Sequence, residues 1–258
     1  MPFFKASGAL VYYAHVPKCG GSAVADYIRD RFGSVAFHDD RYLRQPEPQR
    51  WTRSSPQHVD VESLERLIPL QFFDACFAFV RHPVARAVST YHFQQEVEKS
   101  IAAEMSFSDW LASLPDEMAR HPFASDNHIR PMSQIVPEGA TVFHLEHGLD
   151  SLVTWLDALT GSADAPRAII TRNTRGDYVR TRSAKVEPSA SDLDRIARLY
   201  ADDFTRFGYD PGERLPKAAP PQMTPEFITA RGLEFRRMNT PVARLTRRIS
   251  RRIRRLGL

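Results

Sequence analysis

The stretch HVPKCGGSA, residues 15–23, places a lysine, two glycines and a serine where an apolar run gives way to helical spacing. A strand-to-helix turn presents backbone N–H groups at the positive end of a helix. Gly20 and Gly21 let the backbone come close to an anion, Ser22 adds a hydroxyl, and Lys18 adds a point charge. The loop therefore suits a phosphate or a related oxyanion; the plain alternative is a tight turn with a surface lysine. The lysine precedes the glycines, and the pattern G-x-x-x-x-G-K-[ST] is absent. A second stretch, FAFVRHPVARAVSTYHF (77–93), again reads as strand, turn and helix, with Arg81 leaving the strand and Ser89 eight residues further on. Ligands of parallel sheets bind beyond the carboxyl ends of the strands. Two such ends, one with Lys and Ser and one with Arg and Ser, make two anion sites for one nucleotide carrying phosphate at both ends.

The elements that must hold these residues follow from periodicity. Residues 9–16 read as a buried strand ending at Pro17, and residues 21–32 as a helix with Val24, Tyr27, Ile28 and Phe32 on one face, stopped by Gly33. Residues 39–57 read as a loop, VESLERLIPL as a short helix and residues 74–80 as a central strand. A helix from Val84 to Ser100, a strand in ATVFHLEHG, a helix in LDSLVTWLDAL and a capped helix in SASDLDRIARLYADDFTRFG complete the pattern. Strands alternating with helices predict an α/β, three-layer P-loop-type fold: a central parallel sheet flanked by helices, plus a C-terminal basic helical tail. The expected division is a body over 1–211, a proline-rich linker over 212–235 and a basic amphipathic tail over 236–258.

The 258 residues, 42% hydrophobic, suffice for a sizeable core. The formal charge of +4 misleads, because residues 236–258 hold nine arginines and no acid. Taking those nine from the 35 basic residues leaves 26 against 31 acidic ones, so the body is mildly acidic and gives no ground for nucleic-acid binding. Two cysteines, Cys19 and Cys76, make neither a disulfide framework nor a metal set, and Cys19 reads as a small spacer in the loop. No run is suited to spanning a bilayer and the N-terminus lacks a secretory pattern, so the expected location is cytoplasmic. In the tail, Leu245, Ile249, Ile253 and Leu256 form one stripe among arginines. Such a helix suits the inner face of an anionic membrane, a nucleic acid or a partner, or is a solvated tail.

The pair HVPKCGGSA and FVRHPVARAVSTYHFQ resembles the sulfotransferases of family 2, which use 3′-phosphoadenosine 5′-phosphosulfate (PAPS) and include carbohydrate sulfotransferases. The resemblance covers about residues 9–210. It implies that Lys18, Cys19, Gly20, Gly21, Ser22 and Ala23 surround the 5′-phosphosulfate and that Arg81 and Ser89 hold the 3′-phosphate. It gives the early lysine a purpose, neutralising the leaving phosphate, and implies no metal. It implies adenosine 3′,5′-bisphosphate as product and a carbohydrate or glycolipid hydroxyl as acceptor. SSPQHVDVESLERLIP is similar to a histidine-containing loop that supplies the base in several members, which makes His58 the first candidate. DNHIRPMSQ resembles an H-x-R-P-Q segment with Met132 in place of glutamine, adding His128 as a second candidate and Arg130 as an acceptor-site cation.

Each of these has a structural alternative: a surface histidine for His58, a hydrogen-bonded one for His128, and a packing group for Arg130. His15 and His82 read as local structure, Arg86 as a pair on its own helix, and the aromatic residues of YHF as core. The arginines at 172, 175, 180 and 182 read as a solvated loop or a surface for an acidic acceptor. A kinase-like nucleotide enzyme, a non-catalytic nucleotide- or glycan-binding relative and a nucleic-acid binder acting through the tail are the rival functions.

Overall fold

The structure is a computed structural model. It describes every residue except 40, 171–183, 244, 245, 247, 248 and 250–258. Helix α1 (Gly21–Phe32) buries Val24, Ala25, Tyr27 and Ile28 and stops at Gly33, whose N–H reaches the Arg29 carbonyl with φ 87°. It follows strand β2 (Ala9–Ala14), and β3 (Ala75–Val80) and β4 (Thr141–His144) lie beside β2 in parallel. The last four residues of both β2 and β3 are buried, as expected for interior strands read as continuous apolar runs.

The sheet is mixed rather than wholly parallel. Strand β1 (Phe3–Ala6) pairs antiparallel with β2, giving the order β1-β2-β3-β4. Ser7 and Gly8 join the two with φ 48° and 97°, the positive pair that a two-residue hairpin requires. The sequence reading passed over this short signal.

Further helices follow along the chain. The expected helix over 84–100 is α-helical only over α3 (Pro83–Phe93) and then widens into a π-turn over Gln94–Glu98. Pro83 sits at the first helical position, where its fixed φ and missing N–H cost nothing. Helix α4 (Phe107–Arg120) follows, where the sequence reading places no element. Ser106 caps it by accepting from the Asp109 N–H, and Phe107, Trp110, Leu111 and Leu114 form its buried stripe. Pro115 lies inside that helix and obscured the pattern. Helix α2 (Val61–Leu67) and helix α5 (Ser151–Thr160) match expectation in type. The last expected helix of the body is two pieces, α6 (Ala190–Leu199) and α7 (Ala201–Arg206), broken at Tyr200.

The chain forms two compact units, Met1–Leu149 with Thr171–Pro220, and Asp150–Ile170 with Pro221–Leu258. In the second, helix α8 (Pro225–Met238) occupies part of the stretch read as linker. Thr224 caps it and Pro225 starts it, so a proline that reads as linker composition opens a helix. Arg231 pairs with Asp150 (2.6 Å), and Arg167 holds Asp157 through both nitrogens (2.7 and 2.8 Å). Of the expected apolar stripe in the tail, only Ile249 lies among the described residues, where it is exposed. The loop arginines at 172, 175, 180 and 182 lie outside them too.

In the first unit, α6 and α7 hold the segment after residue 128. Asp203, fully buried, accepts from the backbone N–H groups of Met132 and Ser133 (2.8 Å each). The Tyr200 hydroxyl donates to the Ile129 carbonyl (2.9 Å), and Arg206 donates to those of Ser133 and Pro137 (2.7 and 2.8 Å). Replacing Asp203 by Ala strands two buried N–H donors and is expected to cost about 2–4 kcal/mol of unfolding free energy. Urea denaturation measures this, and an unchanged midpoint would remove Asp203 from the framework.

Candidate active site

The loop after β2 reaches α1 through two left-handed residues, Lys18 (φ 67°) and Gly20 (φ 84°). No side chain caps α1 and its first turn carries no acid, so the Gly21 and Ser22 N–H groups are available to an anion, while that of Ala23 donates to the Gly20 carbonyl (3.0 Å). Gly21 has a second requirement: a Cβ there would lie 1.6 Å from His15 Nε2. The ring of His15, at the end of β2, thus packs onto the loop glycine. Cys19 is buried, donates to the Pro17 carbonyl (3.6 Å), and burial pushes its thiol up to about 12. It is a neutral spacer, not a nucleophile. Among the described residues Ser22 and Ser89 make no side-chain hydrogen bond, and Ala23 is packed at the start of α1.

Lys18 has no carboxylate partner among the described residues. Its Nζ sits 3.7 Å from the centre of the Phe93 ring, a cation–π contact at the end of α3. Burial, then the nearby Arg81 guanidinium, lowers Lys18 to about 8. Arg81, beyond β3, donates to the Lys18 carbonyl (3.3 Å) and likewise has no ion pair among the described residues. Two cations thus meet at the ends of adjacent parallel strands beside an uncapped helix N-terminus. That arrangement fits a ligand carrying several negative charges.

Arg86 neither pairs on its own helix nor stands free for a nucleotide. It is 2% exposed, and it donates to the carbonyls of Pro17 (3.2 Å), His128 (3.0 Å) and Arg130 (2.8 Å). One guanidinium thereby ties the phosphate loop to the 128–130 segment. His82 caps α3 and reaches the Asp210 carbonyl (3.0 Å), which is the structural part expected of it.

The two candidate bases lie together. His58 and His128 meet edge to face, with ring centres 5.0 Å apart. His15 meets the His58 ring in the same way at 5.0 Å, and Phe93 stacks on His128 at 5.2 Å. Phe93 therefore links a candidate base to the loop lysine, a role that the reading of YHF as core did not foresee. His58 Nδ1 lies 2.7 Å from Asp126 Oδ2. Asp126 went unremarked in the sequence although it opens the quoted DNHIRPMSQ. The potential ligand atoms of His58, Asp126 and His128 fall within 4.8 Å of one another, and His58 and Asp126 hydrogen-bond each other.

Burial and the neighbouring His58 lower His128 to about 3. Burial first, then His58 and His38, lowers His15 as well. For Asp126 burial works upward, yet the His58 charge and hydrogen bond outweigh it and hold the carboxyl at about 2. Arg130 spends its donors on Asn127 (3.0 Å), Gln134 (3.0 Å) and the Pro122 carbonyl (2.6 Å), and lies over the Phe123 ring. Its geometry is that of a packing group.

Residues 2–210 match the model of the sulfotransferase family, most of the chain. The chain belongs to that family and is a transferase that moves a sulfuryl group from PAPS. No curated protein and no solved structure gives a significant match.

The buried histidines set an acid limit. Their folded pKa values lie below the unfolded value of about 6.5, so below that pH the unfolded chain takes up protons that the folded chain refuses. Stability is complete above about pH 6.5 and falls below it, by up to about 1.4 kcal/mol per pH unit for each histidine. Asp126 acts in a lower window: its depressed pKa adds stability above about pH 4 that is lost toward pH 2. Urea midpoints at pH 7.5 and 5.5 should show the first loss, and His128→Asn should shrink it by one histidine's share. Equal pH slopes in the two proteins would contradict a neutral, buried His128.

Proposed function

We propose that this sulfotransferase acts on a hydroxyl of a carbohydrate or glycolipid, with His58 as the base and the Lys18–Arg81 pocket as the donor site. The observation that carries the reading is the pair of cations that make no ion pair among the described residues, Lys18 and Arg81, at neighbouring strand ends beside the uncapped N-terminus of α1. In this reading the N–H groups from Cys19 to Ala23 and the Ser22 hydroxyl hold the 5′-phosphosulfate. Arg81 and Ser89 hold the 3′-phosphate. Bound PAPS supplies an activated sulfuryl group, transferred in line as the acceptor O–S bond forms and the S–O bond to phosphate breaks. His58 Nε2 takes the acceptor proton, and Lys18 neutralises the electron pair left on the phosphate oxygen. Phe93 and His128 wall the pocket, and no metal takes part.

The acceptor class rests on the family resemblance. No helix among the described residues is long and apolar enough to cross a membrane. The arginine-rich tail, with Ile228, Phe235, Val242 and Ile249 exposed before and within it, supports a cytoplasmic protein resting on an anionic membrane surface.

Calorimetric binding of adenosine 3′,5′-bisphosphate tests the donor site, with ATP–Mg²⁺ as the comparison. The expected result is metal-independent bisphosphate binding, weakened at least tenfold in Arg81→Ala, and turnover of PAPS strongly reduced in Lys18→Ala. Preference for ATP–Mg²⁺ would return the kinase-like reading, and binding without any turnover the non-catalytic one. Lys18 also sets an alkaline limit. Bisphosphate affinity should fall above about pH 8 as the free lysine loses its proton, and Lys18→Arg should flatten that fall. A wild-type affinity that is flat to pH 9.5 would mean that Lys18 does not touch the anion.

A further inference from the structure

Two consecutive residues grip His58 at both ends. The Asp126 carboxylate takes the ring at Nδ1 (2.7 Å), and Asn127 Nδ2 donates to the His58 backbone carbonyl (2.7 Å). Asp126 is itself fixed by the Ser55 N–H on Oδ1 (2.5 Å) and the Ser55 hydroxyl on Oδ2 (2.7 Å). Ser125, Asp126 and Asn127 all lie in the left-handed region, with φ 51°, 55° and 61°. Non-glycine residues seldom occupy it, and three in a row persist only where the surroundings impose them. The restraint here is the fully buried Asn127, whose Oδ1 also accepts from Arg130 Nε (3.0 Å). The packing found for Arg130 therefore bears on the site indirectly, through this turn.

We propose that Asp126 is a positioning residue of the transfer reaction: it holds the Nδ1–H of His58, so that Nε2 presents a free lone pair to the acceptor hydroxyl and the imidazolium formed on proton transfer has a carboxylate beside it. This inference rests on the reading of His58 as the base. An ionised carboxylate only accepts hydrogen bonds, so the proton between the two side chains sits on the imidazole. His128 also donates from Nδ1, to the Ser125 carbonyl (2.7 Å); the Asp126 carboxylate lies within 4.8 Å of a His128 nitrogen, but its hydrogen bond goes to His58. His15, on the other side of His58, has an unpartnered Nδ1. Of the three clustered imidazoles, His58 alone hydrogen-bonds a carboxylate, and burial keeps the other two neutral. The groups that face it are Asp126 and Ser55, His15 from the end of β2, His128 with Lys18 behind it, and the Met1 amino group, which donates to the Pro56 carbonyl.

The test uses the full chain labelled with ¹⁵N-histidine, without nucleotide, at pH 8. Long-range ¹H–¹⁵N correlation reads the tautomer of each ring, and His58→Gln assigns the His58 signals. The expected result is an Nδ1-protonated His58; an Nε2-protonated ring overturns the proposal. In Asp126→Asn that tautomer should be lost or mixed. The kcat for release of adenosine 3′,5′-bisphosphate from PAPS, with water as acceptor, should fall about 10²–10⁴-fold. The bisphosphate Kd should hold within a factor of about two, which a merely structural loss would not allow; Kd and kcat failing together would overturn the positioning role. If His58→Gln slows release and Asp126→Asn does not, the role of Asp126 falls and the base stands. If His58→Gln has no effect, the reading of His58 as base falls, and this inference with it.

Discussion

Arg86 is a charge removed from water and satisfied by backbone carbonyls alone. Its acceptors are Pro17, which opens the phosphate loop, and His128 and Arg130, which flank the candidate catalytic cluster. A guanidinium buried in this way is costly unless its fork of donors is met, so the three carbonyls and the helix that carries Arg86 must keep their places together. The loop after β2 and the 128–130 segment are thereby set against one element, α3. Lys18 and Arg81 differ: among the described residues neither makes an ion pair, and Arg81 has a single carbonyl, that of Lys18, as its acceptor.

A second layer restrains the same segment from the far side. Asp203, Tyr200 and Arg206 take up the polar backbone of residues 129–137, so α6 and α7 serve the site without touching it. Phe93 does related work within the site. It lies at the last α-helical residue before the π-turn, under Lys18 and against His128. Widened helical turns occur frequently at functional sites, and here the change of helix falls where one ring must serve both a lysine and a histidine.

The electrostatics follow from this packing. Burial keeps His15 and His128 neutral, and the same burial leaves Lys18 less basic than a surface lysine. Asp126 escapes the trend because it faces His58 and accepts from Ser55. One carboxylate hydrogen-bonded to one of three clustered imidazoles sets that ring apart from the other two.

What the sequence determined by itself is what neighbours along the chain decide. Proline, two glycines and helical apolar spacing mark the turn from β2 into α1 with its bounds at residues 21 and 32, and the motif pair carries the family and its donor. Apolar runs reveal β2 and β3 because interior strands are buried on both faces. The mixed sheet, helix α4 and helix α8 were less legible, through a four-residue strand, an internal proline and a proline-rich approach. Only the tertiary structure decided the partners. Asp126 stands 68 residues from His58, Arg86 more than 40 from His128 and Arg130, and Arg81 63 from Lys18. Hydrogen bonds over such separations leave no periodic trace, because they depend on which loops the sheet brings to one edge. The sequence could name histidines suited to proton transfer; only the fold shows which of them has a carboxylate at its ring.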